Sequence, residues 1–319
     1  MDASRLGGSG TALVIGESLI DAVERGGRRS ELPGGSPMNV AIGLARLGRD
    51  VELATWYGRD RRGGLIDAHL AASGVRTGAG AHGAAKTSTA TATLDEDGHA
   101  SYVFDLEWSL PSVEIPEDCP VVHAGSLATV LDPGASVVHE ALARARASAT
   151  ISYDPNIRPD LMPDPVAGRA AVERSVALAD VVKASDEDLV WLGQGTDPLE
   201  VLTGWLALGP ALVVMTCGAG DVVARTAAGL ELRVHSSQVA VADTVGAGDS
   251  FMAGLVDGLW SAGLLGAARR GALARIDAGS LRAILQRCAA IAAITVSRVG
   301  ADPPWRDELP TASGLGTSA

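Results

Sequence analysis

Apolar and polar positions along the chain alternate between two periods. Residues 11–16 form a short continuous apolar run, the pattern of a strand buried on both faces. Met38, Ala41, Ile42, Leu44 and Ala45 then make one helical stripe, opened by Ser36 as cap with Pro37 behind it and ended by Gly48. A strand over 51–57 and a helix over about 64–72 follow. From 120 onward the rhythm is regular. Strands at 121–124, 150–153, 181–184 and 211–215 alternate with helices at 136–147, at 166–178, after a Ser185 cap, and at 198–208. Further helices are expected near 265–276 and 281–297. This pattern predicts an α/β fold, a central, mostly parallel sheet with helices on both faces. Two stretches break the rhythm. Residues 25–32 are polar, and 86–94 alternate Thr with small residues before an Asp97-Gly98 turn and a returning strand at 100–104. They predict a small second β-sheet over the main body, drawn from about 17–33 and 84–110 of a single 11–309 domain. Residues 1–10 and 310–319 read as flexible ends.

In such folds the carboxyl ends of the strands collect the functional residues. Those ends carry Asp154-Pro155-Asn156-Ile157-Arg158, residues 185–188, residues 216–220, and Asp243-Thr244-Val245-Gly246-Ala247-Gly248-Asp249. The last stretch follows a strand-like alternation of Val239 and Val241 and runs into an apolar helix over 251–259. Gly246 and Gly248 leave amides uncovered at a helix start, which makes an anion site suited to phosphate. Asp249 would compete with that phosphate unless it has its own task, such as taking a proton from an attacking hydroxyl. A first-turn Asp favoured by the helix dipole is the plainer reading; the glycines and the second acid, Asp243, favour the chemical one. Asn39 falls in the first turn of its helix beside Gly34-Gly35, and a bond to its own helix end reads equally well.

Composition narrows the partners. The apolar share is 47% and the aromatic share 3%, so Ala and Gly must pack helices closely on a Val/Leu/Ile sheet. A net charge of −12 argues against nonspecific nucleic-acid binding and leaves a local nucleotide site open. Cys119, Cys217 and Cys288 are odd in number and scattered, as buried thiols in a reducing compartment. No opening segment resembles a signal peptide, and no apolar run reaches spanning length uninterrupted, so a soluble, cytoplasmic protein without a membrane partner is expected. Gly78-Ala79-Gly80-Ala81-His82-Gly83 matches a dinucleotide fingerprint but lacks the flanking strand and helix. No histidine follows Ser250, so a hydrolase triad is not expected there, and the six histidines have no ligand spacing.

Asp243 to Asp249, with Gly34-Gly35-Ser36-Pro37-Met38-Asn39-Val40-Ala41-Ile42-Gly43-Leu44-Ala45-Arg46-Leu47-Gly48, resembles the two signatures of the ribokinase (PfkB) family of carbohydrate kinases. The resemblance covers about residues 13–305. It implies a Rossmann-like ribokinase fold with a β-sheet lid, and ATP-dependent phosphorylation of a sugar hydroxyl. It places Asp249 as catalytic base and Gly246, Ala247 and Gly248 as anion hole. Asp21, Gly34, Gly35 and Asn39 fall at sugar-binding positions, with Trp108 and Arg158 added from fructokinase-like segments. Asn156, Lys183, Ser185, Asp188, Thr216, Gly218 and Gly220 fall on the nucleotide side. Asp243, Val245, Thr295, Arg298 and Gly300 stand where a monovalent cation, K+, is bound. The family's Asn-x-x-Glu is replaced here by Ser185-Asp186-Glu187-Asp188, so Mg2+ falls to Glu187 or Asp188, through water in one version. A plain helix cap with first-turn acids is the other reading of that stretch. The segments 16–21, 105–111 and 154–158 look most like fructokinases, which makes fructose the expected acceptor. 2-Keto-3-deoxygluconate kinase, ribokinase and nucleoside kinase are the alternatives within the family; a non-catalytic sugar- or nucleotide-binding regulator is the alternative outside it. A homodimer formed through the lid is the expected assembly.

Overall fold

The computed structural model describes residues 10–25, 28–94, 100–162, 164–218, 220–235 and 239–310. The first half lays down β1 (Thr11–Ile15), β2 (Leu19–Arg25), β3 (Arg28–Gly34), α1 (Ser36–Arg46), β4 (Asp50–Ala54), α2 (Arg61–Ala72), β5 (Arg76–Thr77), β6 (Thr89–Leu94) and β7 (Ala100–Asp105). The second half runs β8 (Val121–Gly125), α3 (Gly134–Ala145), β9 (Thr150–Asp154), α4 (Pro165–Val176), β10 (Val181–Ser185), α5 (Asp186–Gly193), α6 (Pro198–Leu206), β11 (Leu212–Thr216), β12 (Asp221–Thr226), β13 (Glu231–His235), α7 (Ala247–Ser261), α8 (Arg270–Ala274) and α9 (Ala278–Val296). The Asp97-Gly98 turn and the end segments 1–9 and 311–319 lie outside the described residues.

Nine strands form the large sheet in the order β13-β12-β11-β10-β9-β8-β1-β4-β5. Seven run parallel, and all but the short edge strand β5 are largely buried between two helical layers. One layer packs α1, α7 and α9 residues such as Met38, Leu255 and Leu285; the other packs α3, α4 and α6 residues such as Leu142, Val176 and Trp205. Close packing is literal where α7 meets α9: a Cβ on Gly258 would sit 2.7 Å from Ile284 Cγ2. Strand order reverses at β1, which has β4 on one side and β8 on the other. That reversal opens a crevice beyond the carboxyl ends of β1 and β8.

The small sheet has the order β3-β2-β6-β7. Asp21, Leu32, Ala90 and Phe104 are in register across it and share one face. Ile20, on the opposite face, is buried in the same core as Ile66 and Leu70 of α2. Period-2 alternation of small residues produced this sheet as expected.

Several local expectations need correction. The alternation at Val239 and Val241 is not a strand; both side chains are exposed, and the next amides, Ala242 and Asp243, bond the Val296 carbonyl at the end of α9. The antiparallel edge strands β12 and β13 were not anticipated, although residues 231–235 alternate exposed and buried. α2 starts earlier than expected because the Asp60 side chain accepts from the Gly63 amide. α8 is shorter, since Gly266 at φ 102 breaks the helical path ahead of it. α9 is long and apolar enough, at mean hydropathy 1.2, to cross a membrane by length and composition. Here Leu281, Leu285, Cys288 and Ile291 are buried and the helix packs against α7.

Candidate active site

A cavity of about 600 Å³ opens at the carboxyl ends of the parallel strands, with Ala90 and Phe104 of the small sheet in its wall. At its floor, α7 begins at Ala247 with Gly246 as its cap at φ 76 and no side-chain cap. A Cβ on Gly246 would lie 2.6 Å from Ala301 Cβ, so glycine is required twice over, by conformation and by space. Gly246, Ala247 and Gly248 all line the cavity. The Ser250 hydroxyl donates to the Gly246 carbonyl at 2.5 Å.

Asp249 is buried, and two side chains of α1 hold its carboxylate. Ser36 Oγ donates to Oδ1 at 2.6 Å, and Asn39 Nδ2 donates to Oδ2 at 2.8 Å. Ser36 and Asn39 are three residues apart in the first turn of α1 and so share a face. This corrects the expected cap. Gly35, at φ 119, occupies the cap position, and Ser36 is already helical with its hydroxyl spent on Asp249. Asn39 Oδ1 is buried without a partner among the described residues, in a residue that lines the cavity.

Lys183 and Asp154 come from neighbouring strands β10 and β9. Lys183 Nζ donates to Asp154 Oδ2 at 2.8 Å, and a Cβ on Gly248 would lie 2.8 Å from that Nζ. The ammonium therefore sits directly against the Gly246–Gly248 turn. Burial pushes the Asp154 carboxyl up to about 6, with Lys183 pulling against it. Burial by itself would depress Lys183, but the Asp154, Asp188 and Asp249 carboxylates hold it above its usual range. Asp154 was not singled out from the sequence; its place at a strand end was the available signal.

Asp188 Oδ1 accepts from the Ile157 amide at 2.8 Å and Oδ2 from the Ser185 amide at 3.0 Å, while Ser185 Oγ accepts from the Asp188 amide. This is a capping box that also ties down the loop after β9. Glu187 is exposed and lines the cavity beside Asn156, Arg158, Thr216 and Gly218. Gly220 does not line it; its amide donates to the Cys217 carbonyl at 2.6 Å and closes the turn. Asp243 accepts from the Val245 amide at 3.1 Å and the Gly300 amide at 2.9 Å, joining the two loops. The Arg298 guanidinium turns away to Glu308, and the Thr295 hydroxyl bonds the Ile291 carbonyl. Main-chain carbonyls and one carboxylate are what these loops can offer a cation.

At the opposite end stand Asp21 on β2 and Glu17 just past β1. A Cβ on Gly34 would lie 1.9 Å from Asp21 Oδ2, so only glycine admits that carboxyl. Burial pushes Asp21 up to about 6; Arg158 opposes the shift and Asp249 adds to it. Glu17 lines the cavity, and burial pushes it up to about 7 against hydrogen bonds from its own backbone, Ser126 and Ala128, and the charge of Arg158. Glu17 was missed as a site residue, although it lies two residues past a buried strand. Trp108 was placed in the site wrongly. It is 4% exposed, does not line the cavity, and donates its indole N–H to the Ala128 carbonyl at 3.1 Å. Its ring fills the space above Gly134, where a Cβ would meet it at 2.4 Å.

Residues 11–308 match the family described as pfkB family carbohydrate kinase. The chain belongs to this family and is a sugar kinase. It is 36% identical over 269 residues to a fructokinase of Klebsiella pneumoniae, covering 80% of this chain and 86% of the relative. Among solved structures it resembles a fructokinase of Xylella fastidiosa with bound ATP, at 28% identity and a TM-score of 0.79, covering 96% of both chains. It also resembles a fructokinase of Vibrio cholerae O395 with fructose, ADP and calcium ion bound, at 26% identity and a TM-score of 0.74, covering 96% of this chain and 97% of that one.

Proposed function

We propose that the protein transfers the γ-phosphoryl group of ATP to fructose, giving fructose 6-phosphate. The observation that carries this is Asp249, fixed by Ser36 and Asn39 at the open amino terminus of α7. The Klebsiella, Xylella and Vibrio relatives, with their ATP, ADP and fructose, support the choice of substrates.

Asp249 accepts the proton of the attacking hydroxyl, while Gly246, Ala247 and Gly248 present amides to the transferring phosphoryl group. Lys183 adds positive charge from beneath the same turn. Thr216 and Gly218, with the apolar wall of Val222, Ala292 and Val296, take the nucleotide; Gly220 shapes that turn from behind. Asp21, Asn39 and Arg158 hold the sugar, and Gly34 and Gly35 allow the close approach. Little covalent work is asked of the protein, so positioning, anion stabilisation and water exclusion lower the barrier. The small sheet serves as the lid that excludes water.

Mg2+ fits this site as an ion held by phosphates and water. Both Asp188 oxygens already accept backbone N–H groups, which leaves Asp186 and Glu187 as the carboxylates of that first turn lining the cavity. When bound, Mg2+ would neutralise phosphate charge. K+ would fall to Asp243, whose oxygens also accept the Val245 and Gly300 amides, and to the carbonyls of Val245, Thr295, Arg298 and Gly300. Replacing K+ by a large organic cation at fixed ionic strength should depress the rate, and equal rates would refute the K+ assignment. Val23 and Leu32, exposed on one face of the small sheet, suit a homodimer through it; a monomeric sedimentation profile at micromolar concentration would count against that.

The deciding experiment is ATP consumption with fructose, ribose, 2-keto-3-deoxygluconate and adenosine as acceptors. Fructose should give the highest kcat/KM. A preference for another acceptor replaces fructose; no turnover with any of them favours a binding regulator.

A further inference from the structure

The acceptor end of the cavity carries more negative charge than catalysis by Asp249 requires. Glu17 lies two residues past the end of β1 and Ser126 directly follows β8, so both stand at the crevice where the strand order reverses. Glu17 Oε2 accepts from the Ala128 amide at 3.2 Å, within the turn over 126–129, and Ser126 bonds the same carboxyl. Asp21 enters from β2 and Asp249 from α7. One cation, Arg158, acts on Glu17 and Asp21, and its Nη1 is shared among Asn156 Oδ1 at 2.7 Å and the carbonyls of Asn156 and Ile157. No second guanidinium or ammonium lines this end among the described residues; Lys183 is bound to Asp154 beneath the anion turn.

Resting on the sugar-kinase reading above, we propose that Glu17 is a specificity-determining residue. With Asp21 it makes the acceptor end a charge filter, which admits neutral polyhydroxyl sugars and rejects sugars bearing a carboxylate. The physical basis is simple repulsion in a partly desolvated pocket, where a unit charge a few ångström away is weakly screened. The filter strengthens as its acids ionise. Burial holds Glu17 near 7 and Asp21 near 6, so rejection of an acidic sugar grows between pH 5.5 and 8.5. Gln at position 17 keeps an oxygen for the Ala128 amide and removes the charge.

The test measures kcat/KM for fructose and for 2-keto-3-deoxygluconate across that pH range in the native protein and Glu17→Gln. The native preference for fructose should climb with pH. In Glu17→Gln the preference at pH 8 should fall about tenfold, the order of effect one screened charge carries at this range. If the acidic sugar is not turned over, its inhibition constant against fructose gives the same ratio. A merely structural Glu17 would weaken both acceptors in proportion, and an unchanged ratio overturns the inference. Should the variant fail to fold, the native pH series decides alone, and a flat preference overturns the inference. Absence of turnover with any neutral sugar overturns the sugar-kinase reading itself and this filter with it.

Discussion

The helix α7 carries two buried aspartates eight residues apart, and they meet opposite surroundings. Asp257 lies toward its carboxyl end and takes Arg49 Nε at 2.7 Å, Arg306 Nη2 at 2.8 Å and Arg287 Nη2 at 3.5 Å. Asp180, at the start of β10, is similarly saturated by Arg270 Nε at 2.6 Å and the Ile151 amide at 2.8 Å. At the other edge of the sheet, among the described residues, Asp249 receives only the neutral donors Ser36 and Asn39, Asp154 has one lysine and an orphaned Oδ1, and Glu17 and Asp21 face one shared arginine. Acids at the amino-terminal edge are neutralised and act as rivets. Acids at the carboxyl-terminal edge are left short of positive partners, and burial raises several of them. Residue type does not separate the two groups; the density of guanidinium groups around them does.

The sharpest way to break this contrast is to delete a rivet. Asp257→Ala strands three arginines and should cost about 3–5 kcal/mol of unfolding free energy. Urea unfolding measures it, and the folded fraction should keep its turnover. A loss below about 1 kcal/mol would show that Asp257 is no rivet.

Asp249→Asn tests the other end of the same helix. Shape is kept and proton acceptance is lost, so turnover should fall at least ~10²-fold with the KM for ATP little changed. Its unfolding free energy should move far less than that of Asp257→Ala. Near-normal turnover would remove Asp249 from the base role.

Asp21→Ala should raise the sugar KM by roughly 2–3 kcal/mol, the worth of a charged hydrogen bond. The KM for ATP should stay put, because Asp21 lies within β2 of the small sheet and Thr216 at the end of β11 in the large one. A rise confined to ATP would mean that the sugar lies elsewhere.

The smallest effect is a pH slope. A carboxyl whose folded value is raised stabilises the fold fully below its unfolded value, and that contribution is lost as pH rises through the folded value. For Glu17 the window runs from 4.5 to about 7. Unfolding free energy should therefore drop across that window in the native protein, by at most about 1.4 kcal/mol per pH unit for this group. Glu17→Gln should flatten the drop. Parallel curves for the two proteins would show that burial does not hold a proton there.

Much of the site was legible because its parts are local. The two glycines at the start of α7, the Ser185-to-Asp188 capping spacing and the period-2 run at 89–94 each state their geometry within a few residues. Trp108 was misread because an isolated aromatic has no local signature of direction; the Ala128 carbonyl and Gly134 decided where its ring went. Glu17 passed unnoticed because one acid after a strand says nothing of which turn it will meet. The edge strands β12 and β13 were overlooked because their short alternation carries little signal until β11 offers a ladder.

By itself the sequence determined the strand–helix rhythm, the need for glycine at the turn into α7 and the acid that follows it, since these depend on backbone conformation and on neighbours within one turn. Only the tertiary structure decided that Ser36 and Asn39 grip Asp249 across more than two hundred residues, that Lys183 lies under Gly248, and which acids are saturated by arginine. Such pairings follow from strand order and helix packing, where the distance between two charges is set by the whole core and not by their spacing in the chain.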